Sequence, residues 1–301
     1  SGKVWDLSRK RGGLRILPPF NYQKEWGVMP FRGKIEALAG VRSYLEQIRQ
    51  DYVVLMEGDL VVNLPLAEIQ AEHVKSGADI TVVCGNDSFA TADGSYYEMD
   101  KDGRVTEVLY NLNTPRGYRG LEVYILSTKL LKELVDECFA KDQFSWRRDV
   151  LRAKKDSLNL RGYIWSGFAA QVRSVQEYYD RSMQLLDPKI RADLFTPARP
   201  IMAKGADKSS TYVGSEGRCV NSMVAEGCRI EGVVENSILF PGVVVEKGAV
   251  VRNSVLFKES VVRKNAQLSY VIADKNVEVL ADRTLMGHAT YPLVLSKGSV
   301  V

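Results

Sequence analysis

Three groups of residues in this sequence have types and spacing suited to chemistry. The apolar run Tyr52-Val53-Val54-Leu55-Met56-Glu57 ends in Gly58-Asp59. A carboxylate at the carboxyl end of such a strand can hold a hard cation such as Mg²⁺ beside a phosphate. The same stretch also reads as a buried parallel strand with an acidic turn, and by itself it leaves both readings open. Arg116 and Arg119 bracket a Gly-rich loop that either binds an anionic effector or is a solvated basic loop. Arg147, Arg148, Arg152, Lys154 and Lys155 form a basic run read as the solvated face of a helix in preference to a binding patch. Cys84, Cys138, Cys219 and Cys228 show no CxxC spacing, and with only His73 and His288 beside them a zinc site is not expected. Cys219 and Cys228 read as small buried hydrophobes, and His73 as a surface residue of a helix.

The elements that position these residues follow from periodicity. Residues 33–50 carry an apolar stripe at helical spacing, and 52–56 read as a strand. Residues 66–75 are expected to be a helix stopped at Ser76-Gly77, and 79–84 a second buried strand, so strand–helix–strand order predicts a parallel sheet. Asp100-Lys101-Asp102-Gly103 between 96–99 and 105–110 is a hairpin signal. A strand at 121–126, a helix at 128–140, helical character at 149–155, a strand at 160–165 and a helix at 174–186 complete a first domain over 1–186. A Pro-rich linker is expected at 187–210.

From 211 to 301 the pattern changes. Asn236-Ser237-Ile238-Leu239-Phe240 recurs as Asn253-Ser254-Val255-Leu256-Phe257, and Asn221-Ser222-Met223-Val224 precedes it. A period near 18 is three six-residue faces, the signature of a parallel β-helix. The chain has 301 residues, 45% of them hydrophobic and 26% charged, with a net charge of +4. That balance gives no case for nucleic acid or an acidic membrane. The sequence has no signal region and no run of membrane-spanning length, so a cytoplasmic protein is expected.

An α/β domain followed by a hexapeptide β-helix resembles the sugar nucleotidyltransferases. Trp5-Asp6-Leu7, Gly12-Gly13-Leu14, Leu17-Pro18-Pro19, Gly33-Lys34-Ile35-Glu36-Ala37-Leu38, Gly58-Asp59 and the Asn-Ser coils are similar to the glucose-1-phosphate adenylyltransferase family, and within it to the GlgD-type subunits. The resemblance implies a Rossmann-like mixed-sheet nucleotidyltransferase domain, here lacking its first βα unit, followed by a left-handed parallel β-helix. It places Gly33, Ala37 and Gly58 at a vestigial nucleotide and sugar pocket and Asp59 at a vestigial Mg²⁺ site. It places Asn111 where the family has a sugar-phosphate Lys and Gln171 where it has a second metal Asp. Glu122 falls where the family has Gly, and its carboxylate either repels a phosphate or is solvated. The family's Gly-rich triphosphate loop would lie upstream of Ser1. With one carboxylate and a neutral amide in place of two carboxylates, the resemblance implies a weak or absent Mg²⁺ site.

The expected function is therefore a non-catalytic, regulatory subunit. Its expected partner is a catalytic adenylyltransferase subunit or further copies of itself, with ATP or a sugar phosphate as effector. Two other readings stay open: an active adenylyltransferase, and a hexapeptide acyltransferase, for which His288 is the only nearby histidine.

Overall fold

The computed structural model describes residues 13–17, 31–85, 94–110, 116–201 and 208–301, and the chain divides into two compact units, Ser1–Ala169 and Ala170–Val301. No helix among the described residues is long and apolar enough to cross a membrane.

In the first unit the elements run α1 (Lys34–Gly40), α2 (Arg42–Glu46), β1 (Tyr52–Met56), β2 (Leu60–Val62), α3 (Leu66–Ser76), β3 (Ile80–Gly85), β4 (Ser95–Met99), β5 (Val105–Tyr110), β6 (Tyr118–Ser127), α4 (Thr128–Ala140) and β7 (Leu160–Trp165), with a wide π-type helix at Trp146–Arg152. The sheet is mixed. Its order is β5-β4-β6-β3-β7, with β1 also paired to β6. Central β6 alternates with period two: Val123 and Ile125 pack with Ile69 of α3 on one face, while Tyr124 and Leu126 pack with Ile35, Leu131, Leu134 and Trp146 on the other. The β4–β5 hairpin forms as expected, with Gly103 at φ +78° and Asp100 Oδ1 accepting the Asp102 and Arg104 N–H groups.

Several expectations need correction. β1 and β3 are not neighbours, because β6 lies between them antiparallel to both; β7 is parallel to β3 as expected. Among the described residues β1 pairs only with β6, so Val54 and Met56 remain 41% and 46% exposed and the strand is not a buried one. The helix expected over 33–50 breaks at Val41, whose φ of −112° and ψ of 25° leave the helical region. Gly40 and β-branched Val41 are both weak helix formers, which places the break there. His73 is 3% exposed: it lies four residues after Ile69 and shares that buried face of α3. Cys219 is exposed, because among the described residues no coil stacks above the first one; Cys228, one coil on, is buried as expected.

The second unit contains strand β8 (Ala169–Gln171) from its second residue onward, helix α5 (Val175–Gln184), helix α6 (Pro188–Leu194) and a parallel β-helix. Helix α6 falls within the segment expected to be a linker; Asp187 caps it and Pro188 opens it. Three parallel sheets, each of five short strands, form the faces of the β-helix, consistent with the left-handed form. Cα partners lie 15 residues apart in the first step and 17 in most later steps, as in Arg218↔Val233↔Val250↔Gln267. The true period is thus 17. Val234, Val251 and Leu268 stack inside, as do Val245, Val262 and Val279.

The structure gives the Asn-Ser repeat a physical cause. Asn221, Asn236 and Asn253 occupy one corner of successive coils at φ +43°, +46° and +46°. Asn tolerates this left-handed region better than most residues. The serine after each corner bridges coils. Ser237 Oγ donates to Glu235 O at 2.7 Å and accepts the Ser254 N–H at 3.1 Å; Ser254 Oγ donates to Arg252 O at 2.6 Å and accepts the Val271 N–H at 3.0 Å. Helix α5 packs across the face bearing Ile238, Val255 and Ile272, with Tyr178 stacked on Phe257 and Tyr179 Oη donating to Asn253 O.

Candidate functional site

The carboxyl ends of β1, β3 and β7 and the start of β6 gather the site residues of the first unit. After β1 the chain turns through Glu57-Gly58-Asp59. Lys34 Nζ at the start of α1 pairs with Glu57 at 2.7 Å and sits 5.1 Å from the Tyr124 ring centroid. These contacts bring the Gly33 and Ala37 helix to the Gly58-Asp59 edge. Gly33 is required by packing, since a Cβ there would collide with the Phe144 carbonyl oxygen, which accepts the Ile35 N–H. Gly58 faces open space.

Glu122 is the most constrained residue at this edge. It is 4% exposed and adopts φ +57°, a left-handed conformation uncommon for a non-glycine residue. Ser95 Oγ donates to its Oε1 and Tyr124 Oη to its Oε2, each at 2.7 Å. Arg147 Nε lies 3.7 Å from Oε2 as a counter-ion. Burial pushes the Tyr124 phenol well above the ordinary tyrosine value, with nearby Tyr97 and Glu122 adding to the shift. The phenol therefore stays a proton donor to the carboxylate. Burial, followed by Glu122, likewise raises Tyr97 and the Cys84 thiol, which leaves Cys84 un-ionised and poorly nucleophilic. Of the two readings of Glu122, the solvated one is overturned: three groups from three parts of the chain close around it.

The basic residues are also engaged. Arg148 pairs with Asp149 at 2.6 Å, Arg152 Nη1 donates to Tyr110 Oη at 3.1 Å, Lys154 pairs with Glu137 at 2.9 Å and Lys155 with Asp156 at 3.2 Å. The run is a set of local ion pairs in place of a free basic face. Arg116 is exposed and pairs with Glu98 at 3.2 Å, while Arg119 is inside β6 and 6% exposed. The solvated-loop reading fits Arg116 and fails for Arg119.

Asp59 is half-buried at the turn after β1, and Gln171 is buried at the end of β8. Asn111 lies outside the described residues. Among the described residues no group of three His, Cys, Asp or Glu side chains gathers to hold a metal. Near Asp59 the Glu57 carboxylate is taken by Lys34. This donor set does not fit a resident Mg²⁺, which prefers carboxylates and near-octahedral oxygen coordination. Sequence reasoning singled out Glu122 but not its partners Ser95 and Tyr124, and it read Arg147 as solvated; the only local signal was the carboxylate in a glycine's place.

Residues 204–290 match the family described as GlmU-like, C-terminal hexapeptide, in agreement with the β-helix. The chain is 34% identical over 300 residues to the glycogen biosynthesis protein GlgD of Bacillus subtilis (strain 168), covering 100% of this chain and 77% of that protein. It is 35% identical over 255 residues to GlgD of Geobacillus stearothermophilus, covering 83% of this chain and 63% of that one. It is 28% identical over 257 residues to glucose-1-phosphate adenylyltransferase of the same organism, covering 83% and 65% respectively. The chain thus spans part of each relative's length. The two-part fold, the hexapeptide coils and an identity that extends over the whole chain place it together with these proteins: the chain belongs to the glucose-1-phosphate adenylyltransferase family, in its GlgD group.

Proposed function

We propose that this chain is a non-catalytic, regulatory subunit of glycogen biosynthesis, working in the cytoplasm beside a catalytic subunit that makes ADP-glucose from ATP and glucose 1-phosphate. The observation that carries the reading is Glu122. A buried carboxylate at the strand edge, fixed by Ser95 and Tyr124 and neutralised by Arg147, presents an acceptor-only group where a sugar phosphate would need cations and donors. Asn111 and Gln171, in the places of a Lys and an Asp, support the same conclusion, as does a donor set that does not fit Mg²⁺. Assembly is supported by apolar residues left exposed on the last coil, Met286 at 71% and Val300 at 60%. Regulation then consists of a coupling free energy transmitted through subunit contacts.

The test uses the full-length protein with ATP, Mg²⁺ and glucose 1-phosphate, alone and mixed with a motif-complete catalytic subunit. No pyrophosphate release alone, with a shifted saturation curve in the mixture, is expected. Pyrophosphate release by the isolated protein at an ordinary enzymatic rate overturns the reading.

A further inference from the structure

The second unit contains a cleft of about 690 Å³ that the nucleotidyltransferase reading does not use. Its floor is the column of coil corners Asn221, Asn236, Asn253 and Tyr270; its walls include Asp180 of α5 and Ala289 of the last coil. Three features of this corner exceed what a β-helix needs.

The first is its composition. The next corner around the coil meets the same left-handed requirement with Gly227, Gly242, Glu259 and Asn276, whereas this one uses three asparagines in succession. Asn221 Nδ2 donates to Asn236 Oδ1 at 2.8 Å, while among the described residues the Asn253 side-chain amide makes no hydrogen bond, its backbone N–H being paired with Glu235 O. The second is Tyr270, which continues the column at φ +56°. A bulky aromatic in this region is a genuine outlier, and such strain persists where the surroundings or a function impose it. The third is an insertion at the same corner. Between Val271↔Leu293 the coil offset rises to 22 residues from the 17 of Val255↔Ile272, so residues 288–292 loop out. Gln176 Nε2 of α5 donates to Ala289 O at 2.8 Å and to Asp180 Oδ1 at 2.8 Å, which ties the loop to the wall. Insertions in repeat proteins map to loops on one face, often the binding face.

The chemistry of the lining selects the ligand class. Amides supply paired donors and acceptors, Asp180 and Asp187 supply acceptors, and Tyr270, backed by the buried Tyr179 ring 6.4 Å away between centroids, supplies apolar ring surface. No Lys or Arg is among the described residues lining the cleft. This suits many hydroxyl groups and disfavours a phosphate or carboxylate. At one strand spacing per coil the four corners span about 14 Å, the length of a short oligosaccharide more than of a single sugar ring. We propose that this cleft binds a neutral oligosaccharide through the asparagine column, independently of whether the first unit is catalytic.

Calorimetric titration of the full chain with maltotetraose and with cellotetraose tests this, with glucose 1-phosphate as the anionic comparison. Saturable binding of at least one tetrasaccharide is expected, tighter than that of glucose 1-phosphate. Ala289→Trp, which fills the cleft, and Asp180→Ala, which removes an exposed acceptor, should each weaken it at least about tenfold with Tm unchanged. Should either variant lose Tm, the other supplies the comparison. Failure of both tetrasaccharides to saturate, tighter binding of glucose 1-phosphate at the same cleft, or affinity untouched by the substitutions would overturn the proposal.

Discussion

Tyr124 Oη donates a 2.7 Å hydrogen bond to Glu122 Oε2 although the two side chains belong to the same strand, two residues apart. Residues two apart share a strand face. The left-handed backbone at Glu122 accompanies this approach, and the carboxylate also receives the Ser95 hydroxyl.

Replacing Glu122 by Gly separates the two contributions. Glycine adopts φ +57° without the penalty of about 1–2 kcal/mol that an L side chain carries there. Against this, the Ser95 and Tyr124 hydroxyls lose a buried acceptor, a cost of about 1–3 kcal/mol for each group left unpaired. Glu122→Gly should therefore be destabilised by only a few kcal/mol in urea denaturation. It should also free Arg147 and gain measurable affinity for glucose 1-phosphate by calorimetry. A variant that still rejects the sugar phosphate would show that the carboxylate is not what excludes it.

The serine ladder gives a sharper stability test. Ser254 is fully buried, accepts the Val271 N–H and donates to Arg252 O, so Ser254→Ala leaves a buried backbone donor without its acceptor. A loss of about 1–3 kcal/mol is expected. Ser222→Ala, in the partly exposed first coil, removes the equivalent acceptor for the Ser237 N–H where water has better access. Its loss in chemical denaturation should be clearly smaller. Equal losses would mean that the ladder acts through the coils' intrinsic conformation and not through buried pairing.

The sequence shows the β-helix plainly because each coil solves the same local problem. A left-handed corner favours Asn or Gly, and the next residue bridges two backbones, so Asn-Ser returns at three successive rungs before Tyr270 takes the fourth. The 17-residue offset of the coils is already present between Asn236-Ser237 and Asn253-Ser254 in the sequence, whereas 18 is only the idealised sum of three six-residue faces. The first unit is less legible. Glu122 is satisfied by Ser95 and Arg147, respectively 27 and 25 positions away, and no local spacing announces such a cluster. The placement of β6 between β1 and β3 is likewise a matter of topology, since strand–helix–strand order fits a direct parallel pair equally well. His73 was accessible to pattern reasoning, because its four-residue spacing from Ile69 marks the buried face of α3.

That buried histidine sets a pH dependence. His73 Nδ1 and Thr81 Oγ1 share a 2.8 Å hydrogen bond, and the Tyr52 ring meets the imidazole edge-on at 5.3 Å. Burial lowers the His73 pKa below its ordinary value of 6.5, opposed in part by the Asp79 charge. The unfolded chain therefore takes up a proton near pH 6.5 while the folded chain still resists it. Stability is full above the unfolded value and falls as pH drops towards the folded one, with a slope of at most about 1.4 kcal/mol per pH unit for a single site. Urea denaturation of the full chain between pH 7.5 and 5.5, a window roughly one unit either side of the histidine value, should show this decline in the transition of the first unit. His73→Gln, which keeps a polar partner for Thr81 and cannot titrate, should flatten it. A slope that survives the substitution would assign the effect to another group.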